Sequence, residues 1–144
     1  MQRRVVLGCS GAAGAAVERL AEWPGGLTVV APDGTPVGAD RPDVTYERAT
    51  PDDTSAYPDR ADLVFVAGDD GATNAAAAVA ARDAYPDAYL AVYVGPDADA
   101  AVAYRVAAVA DRVIDADRIL AARMTELTTD PGAARVPRLH APLR

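Results

Sequence analysis

The sequence contains no lysine, and it has a single cysteine, Cys9, and a single histidine, His140. One cysteine excludes an intrachain disulfide, and the lack of lysine excludes chemistry that needs a lysine amine. Aromatic residues make up only 6% of the 144 residues, so the core must be built from Ala, Val and Leu. No apolar run approaches the roughly 18 residues of a membrane span, and the run Val5-Val6-Leu7 is too short for the core of a signal peptide. We therefore expect a soluble, cytoplasmic protein that does not insert into a membrane.

Basic residues are few beside the acids. The chain has 21 Asp and Glu against 14 bases, all of them arginine, and its net charge is −7. Such a chain is not expected to bind nucleic acid through the phosphate backbone. An acidic, lysine-free surface is typical of a halophilic protein, because concentrated salt screens the self-repulsion. GC-rich codon usage, which also favours Ala, Arg, Asp, Gly and Pro, is the competing explanation, and the two are compatible.

Short apolar runs alternate with helix-like segments about six times along the chain. Strands are predicted at 4–7, 27–31, 44–47, 61–67, 89–94 and 112–114, and helices at 12–23, 72–85, 97–110 and from Asp115 onward. A short helix is predicted to open at Thr50-Pro51, and residues 35–42 lack the period of a normal crossover helix. The alternation predicts an α/β fold in three layers, a doubly wound parallel sheet of strand order 3-2-1-4-5-6. We expect one domain over residues 1–127 and a flexible tail over 128–144.

The turn after the first strand, Gly8-Cys9-Ser10-Gly11-Ala12-Ala13-Gly14, joins a strand directly to a helix. This arrangement opens a dinucleotide-binding βαβ unit, in which the free N–H groups of the helix N-terminus face a phosphate. In the G-x-G-x-x-G register the three positions are Gly8, Ser10 and Ala13, with Gly11 as an additional glycine. A tight turn that binds no ligand explains the same residues, and both interpretations stay open. Cys9 is either a small packing residue, which we favour, or a reactive thiol.

A second group of candidate residues follows strand 4. In the predicted fold, the loop Gly68 to Asn74 lies opposite the glycine turn, because the strand order reverses between strands 1 and 4. Asp69 and Asp70 there could cap a helix or meet a hydroxylated ligand. The acid that binds a ribose at the end of strand 2 is replaced by Ala31, and Asp33 could substitute for it or serve only as a turn residue. No catalytic residue and no metal site is predicted.

Several of these segments together resemble the N-terminal nucleotide-binding domain of TrkA-type and RCK (regulator of potassium conductance) proteins. The resemblance covers roughly residues 3–127, and its most specific parts are 61–70 with Asn74 and the ending 110–115. It implies a cytoplasmic ligand-sensing module that forms a homodimer. Such a module would bind NAD(H) or an adenine nucleotide and would signal to a separate transporter or channel subunit. By position, Gly8, Ser10 and Ala13 would line the phosphates, and Gly68, Asp69 and Asn74 would face the ligand. Replacing Gly8 by valine is expected to abolish binding and to leave the fold largely intact.

Three classes of function follow, in order of preference. The first is a nucleotide-sensing regulatory module linked to potassium transport. The second is a degenerate Rossmann domain that binds no nucleotide and acts through protein contacts or dimerisation. The third is a small NAD-dependent enzyme, which we disfavour because no substrate domain and no catalytic set of Tyr-Lys, His or Cys is visible.

Overall fold

Six parallel strands form the sheet of the computed structural model, which describes residues 2–32 and 41–129, with only the backbone at 11–14. The strand order is β3-β2-β1-β4-β5-β6, as predicted. The strands are β1 Arg4–Leu7, β2 Leu27–Ala31, β3 Val44–Arg48, β4 Leu63–Val66, β5 Tyr89–Val94 and β6 Arg112–Asp115. The helices are α1 Gly11–Leu20, α2 Gly71–Ala84, α3 Ala100–Val109 and α4 Ala116–Thr129. The fold is thus Rossmann-like, with its connections crossing over in the way a doubly wound sheet requires.

Aspartate side chains start most of the helices. Asp70 accepts a hydrogen bond from the backbone N–H of Thr73 at the start of α2, and Asp99 accepts one from Val102 at the start of α3. Asp115 accepts from the first residues of α4 in the same way, as its position at the end of β6 predicted. A carboxylate satisfies N–H groups that a helix leaves unpaired and also interacts favourably with the helix dipole. Part of the abundance of aspartate therefore has a local structural role.

The short helix predicted at Thr50-Pro51 is the main local correction. The structure has instead a single 3₁₀ turn, Thr54–Ala56, whose N-cap is Asp53. The side chain of Asp53 accepts from the backbone N–H of Ser55 and so caps this turn. The Thr50-Pro51 pair lies in the loop before this turn, because an Asx-type hydrogen bond begins the turn later in the chain.

Two hydrophobic clusters lie on opposite faces of the sheet. On one face, α2 and α3 cover a cluster that includes Val64, Val92 and Val106. On the other face, α1 covers a smaller cluster that includes Val6 and Val17. Ala-rich helices allow this close packing on a sheet of Val and Leu, so few aromatic residues are needed. The three layers of the predicted fold are therefore present.

Buried arginine closes the end of α1. Arg4, only 5% exposed, donates to the backbone carbonyls of Leu20, Trp23 and Gly25 at 2.7, 2.9 and 3.0 Å. Leu20 is the last residue of α1, and Trp23 and Gly25 lie in the turn that follows it. A cation at this helix end is favoured by hydrogen bonding and by the helix dipole. A buried charge at the start of β1 thereby fixes α1 on the sheet.

The apolar side chains of the last helix, α4, are largely exposed. Ile119, Leu120, Met124 and Leu127 are between 43 and 60% exposed, and no residue of α4 is buried. Beside α4, a groove of about 590 Å³ runs between α1 and α4 over the sheet; its floor includes Phe65, Tyr93 and Ile114, and we call it the α1–α4 groove.

The predicted tail was to begin at residue 128, yet α4 ends at Thr129, and residues 130–144 lie outside the described part. So do residues 33–40, which include most of the segment expected to lack a crossover helix.

Candidate functional site

The glycine turn after β1 and the loop after β4 meet at the carboxyl edge of the sheet. Leu7 pairs with Val66, and the N–H of Ala67 donates to the carbonyl of Leu7 at 2.9 Å, so the two strands end side by side. Between the two loops lies a cleft of about 270 Å³. Its described lining consists of Gly8, Cys9, Ser10, Ala31, Pro32, Pro51, Gly68, Asp69, Asp70, Thr73 and Asn74. We call it the edge cleft, and it stands where doubly wound sheets bind their ligands.

Gly8 is the residue that lets the two loops approach. Its φ is +85°, a backbone conformation that L side chains rarely adopt, and a Cβ at this position would lie 2.9 Å from the backbone nitrogen of Gly68. A side chain here would strain the turn and also push against backbone that cannot rotate away. Against the expectation that valine at position 8 leaves the fold largely intact, we predict that it also destabilises the fold, because Gly8 supports the sheet edge itself as well as the cleft.

The buried side chain of Asn74 fixes the loop after β4. Its side-chain amide Nδ2 donates to the carbonyls of Gly68 and Tyr93 at 2.8 and 3.0 Å, and the side chain is 2% exposed. The other atom of the amide, Oδ1, has no hydrogen-bond donor among the described residues. It lies so close to Gly68 that a Cβ there would approach it to 2.7 Å. A buried acceptor without a donor is unusual in a folded protein, and Asn74 is among the residues that line the edge cleft.

Ser10 and Asp69 join the two loops across the edge cleft. The hydroxyl of Ser10 donates to Oδ1 of Asp69 at 3.0 Å and accepts from the N–H of Asp69 at 3.2 Å. Ser10 is the N-cap of α1, but its side chain makes no capping hydrogen bond to the helix, and the first turn of α1 holds no acid. The N-terminal N–H groups of α1 therefore have no side-chain cap from Ser10, which is the condition under which a helix start can accept a phosphate.

Negative charge predominates among the described residues that line the cleft. Hydrogen bonds from the hydroxyl and the backbone of Thr73 lower the pKa of Asp70, so this carboxyl is ionised. No arginine is among the described residues that line the cleft. The potential here is therefore set by the carboxylates of Asp69 and Asp70 against the dipole of α1.

The thiol of Cys9 is not activated. Burial raises its pKa, and the negative charge of Glu18 raises it further. A thiol in such surroundings is a poorer nucleophile at neutral pH than a free cysteine. Cys9 also packs against the cluster under α1, which agrees with its interpretation as a small packing residue.

The structure brings together five of the eight predicted ligand-binding residues: Gly8, Ser10, Gly68, Asp69 and Asn74. Gly11 and Ala13 lie in the first turn of α1, where only the backbone is described, and Asp33 lies outside the described residues. Sequence reasoning missed Pro51, which reaches the cleft because the N–H of Ala49 donates to the carbonyl of Ala31. Parallel pairing of β2 with β3 was the available signal, since it carries the chain after β3 to this same edge.

Comparison with solved structures places the fold among known ones. The chain resembles the TrkA-N domain of the inner membrane protein ybaL from Escherichia coli, with a TM-score of 0.70 and 17% identity over 88% of this chain and 96% of that one. It also resembles the NAD(P)-binding domain of an exopolyphosphatase-related protein from Archaeoglobus fulgidus, with a TM-score of 0.65 and 19% identity over 90% and 99% of the two chains. For the GsuK RCK domain the TM-score is 0.65 and the identity 20%, over 92% of this chain and 29% of that one.

These likenesses confirm the predicted structural resemblance to TrkA-N and RCK domains. At identities of 17–20% they establish the fold, and function must be argued from the site. No protein-family model and no curated protein sequence matches the chain. Across residues 2–32 and 41–129, no helix has the length and apolar character to cross a membrane, and no three His, Cys, Asp or Glu side chains are grouped as a metal site requires.

Proposed function

We propose that the protein is a cytoplasmic ligand-sensing module, which binds NAD(H) or an adenine nucleotide in the edge cleft. The observation that carries this proposal is the start of α1, because Ser10 turns its hydroxyl to Asp69 and leaves the helix without a side-chain cap. Gly8 and Gly68 permit the close backbone approach that a phosphate at this position needs. The fold shared with TrkA-N and NAD(P)-binding domains supports the same ligand class.

The role we propose is regulatory rather than catalytic. Neither histidine nor lysine is among the described residues of the edge cleft, and its one thiol has a raised pKa. Histidine, lysine and an activated thiol are the usual nucleophiles and proton-transfer groups at neutral pH. The carboxylates of Asp69 and Asp70 are the remaining acid–base groups among the described lining residues, and they already accept hydrogen bonds from Ser10 and Thr73. We propose instead that ligand binding is communicated to a separate transporter or channel subunit involved in potassium transport, in keeping with the likeness to the GsuK RCK domain.

Thermal unfolding with and without nucleotide tests the binding. NAD⁺, NADH, ATP, ADP and AMP are added at up to millimolar concentration, in low and in high salt. A ligand at a hundred times its Kd stabilises the folded state by about 2.7 kcal/mol, which raises Tm by several degrees. The absence of a shift with every compound contradicts the proposal, and turnover of NADH followed by its absorbance would favour an enzyme instead.

The α1–α4 groove favours a second candidate function, a dimerisation module. A 14-residue helix without a buried residue gains little from the sheet, yet its half-exposed Ile119, Leu120 and Met124 adjoin an apolar groove. The groove and the apolar stripe of α4 belong to one surface, so two copies related by a two-fold axis can each cover the other's stripe. We propose a second copy of this chain as the occupant, because one two-fold interface between identical surfaces covers the groove and the stripe of each copy at once.

The mass of the protein in solution tests the dimer. We expect light scattering behind size-exclusion chromatography to give a dimer for the wild type and a monomer for Leu120→Glu. Tyr104→Glu is the matched control, because Tyr104 is 79% exposed on α3, away from the groove, and this variant should stay dimeric. A monomeric wild type at tens of micromolar, or equal masses for both variants, contradicts the proposed interface.

A further inference from the structure

The polar groups of the edge cleft differ from those of a site built for polyphosphate. Asp69 and Asp70 place two carboxylates in its wall, and none of its described residues is basic. The described cleft holds about 270 Å³, which is near the lower limit for small-molecule pockets.

Asp69 is held in place at the phosphate end of the cleft. Its reciprocal pair of hydrogen bonds with Ser10, at 3.0 and 3.2 Å, keeps the carboxylate beside the N-cap of α1. A first phosphate gains from the uncapped helix start, whereas each further phosphate adds charge beside a fixed carboxylate. The local electrostatic potential is therefore compatible with one phosphate, whereas it repels a chain of phosphates.

The buried acceptor of Asn74 indicates what the part of the ligand beyond the phosphate contributes. Its Oδ1 has no donor among the described residues, while its Nδ2 is fully used by two backbone carbonyls. A ligand that satisfies Oδ1 must bring a donor, and a sugar hydroxyl is a donor that carries no charge.

We propose that the edge cleft selects a ribonucleoside bearing at most one phosphate, and that Asp69 is the residue that discriminates against longer phosphate chains. The inference rests on the proposed nucleotide-binding function and narrows its ligand class. It predicts that AMP binds more tightly than ATP, in contrast to sites where arginine or lysine neutralises each phosphate.

Calorimetric titration of the full chain tests this order. AMP, ATP and NAD⁺ are titrated at 50 mM salt in EDTA, so that no divalent cation offsets the ligand charge. We expect AMP to bind at least threefold more tightly than ATP, and the ratio to approach one at 1 M salt, where the Debye length falls to about 3 Å. Tighter binding of ATP than of AMP overturns the inference and leaves the proposed function standing, whereas the absence of binding by AMP, ATP and NAD⁺ alike overturns both.

The variant Asp69→Asn isolates the carboxylate. Asparagine keeps an oxygen for Ser10, so the loop geometry is conserved while the charge is lost. We expect ATP affinity to rise about threefold or more and AMP affinity to change by less. Asp87→Asn is the matched control, because Asp87 is exposed before β5 at the opposite edge of the sheet and changes the net charge equally. Equal gains in the two variants, or equal gains for AMP and ATP, would refute a role for Asp69.

A change of ligand, with the protein left intact, tests the donor to Asn74. Adenosine and 2′,3′-dideoxyadenosine carry the same base and no charge, and differ only in the sugar hydroxyls. We expect the dideoxy compound to bind at least fivefold more weakly. Equal affinity of the two nucleosides would show that no sugar hydroxyl is recognised and would overturn this part of the inference.

Discussion

Replacing Gly8 by alanine should destabilise the protein far more than a glycine substitution on its surface. A Cβ at a φ of +85° costs about 1–2 kcal/mol. The approach of that Cβ to 2.9 Å from the backbone nitrogen of Gly68 adds about 1–3 kcal/mol of overpacking, because β1 and β4 must separate. Alanine also restricts the unfolded chain, which offsets about 0.4–1 kcal/mol. We expect a net loss of about 2–4 kcal/mol.

Urea denaturation followed by circular dichroism measures this loss. Gly26→Ala is the matched control, because a Cβ at Gly26 meets no atom within 4 Å. The control should be neutral or slightly more stable than the wild type, since only the effect on the unfolded chain remains. If Gly8→Ala unfolds within about 0.5 kcal/mol of the control, the close contact of the two loops does not exist as described, and the edge cleft loses its structural basis.

Three further predictions concern charge. Arg4→Met should lower the free energy of unfolding by about 2–4 kcal/mol in urea titrations, because the carbonyls of Leu20, Trp23 and Gly25 lose the hydrogen bonds from the guanidinium. The exposed Arg3→Met should be neutral, and equal stability of the two variants would contradict the capping role. Hydrogen bonds from Leu90 and Arg82 lower the pKa of Asp111. The stability that ionised Asp111 gives to the folded state is therefore complete at a pH above the ordinary carboxyl pKa, and it is lost as the pH falls through the lowered pKa. The stability difference between wild type and Asp111→Asn, followed by Tm from pH 7 to pH 2, should therefore shrink in acid, and a constant difference would refute this assignment. Because the net charge is −7, Tm should also rise between 0.1 and 2 M NaCl as repulsion is screened; a flat or falling Tm would favour codon usage as the origin of the composition.

Most of the fold followed from local patterns. Val5-Val6-Leu7, Leu27 to Ala31 and Tyr89 to Val94 are short apolar runs bounded by Gly or Pro, and such runs predict buried parallel strands whatever the neighbours are. The right-handed crossover rule then leaves few strand orders, and 3-2-1-4-5-6 was the one found. The predicted start at Thr50-Pro51 was wrong because several residues in that stretch can cap a turn, and the residue that does so is Asp53.

The candidate site was predictable in its position and only in part in its chemistry. Adjacent strand ends must share an edge, so the meeting of Gly8 with Gly68 was implied by the strand order. The use of the Ser10 hydroxyl for Asp69 rather than for α1 could not be predicted, because both are normal partners for a serine at this position. The unpaired Oδ1 of Asn74 could not be predicted from the sequence either, since it depends on which carbonyls the amide reaches.

The sequence by itself determined the parallel sheet, its strand order and the edge where the glycine turn would lie, because hydrophobic periodicity and turn residues act over a few positions. The tertiary structure alone decided that Gly8 is held against Gly68, that Asp69 is fixed by Ser10, and that the apolar face of α4 stays exposed. Each of these depends on distances of a few ångströms between segments about 50 residues or more apart in the chain, or on how much of the sheet a helix covers. Local patterns do not encode such distances, since they result from the packing of all layers together.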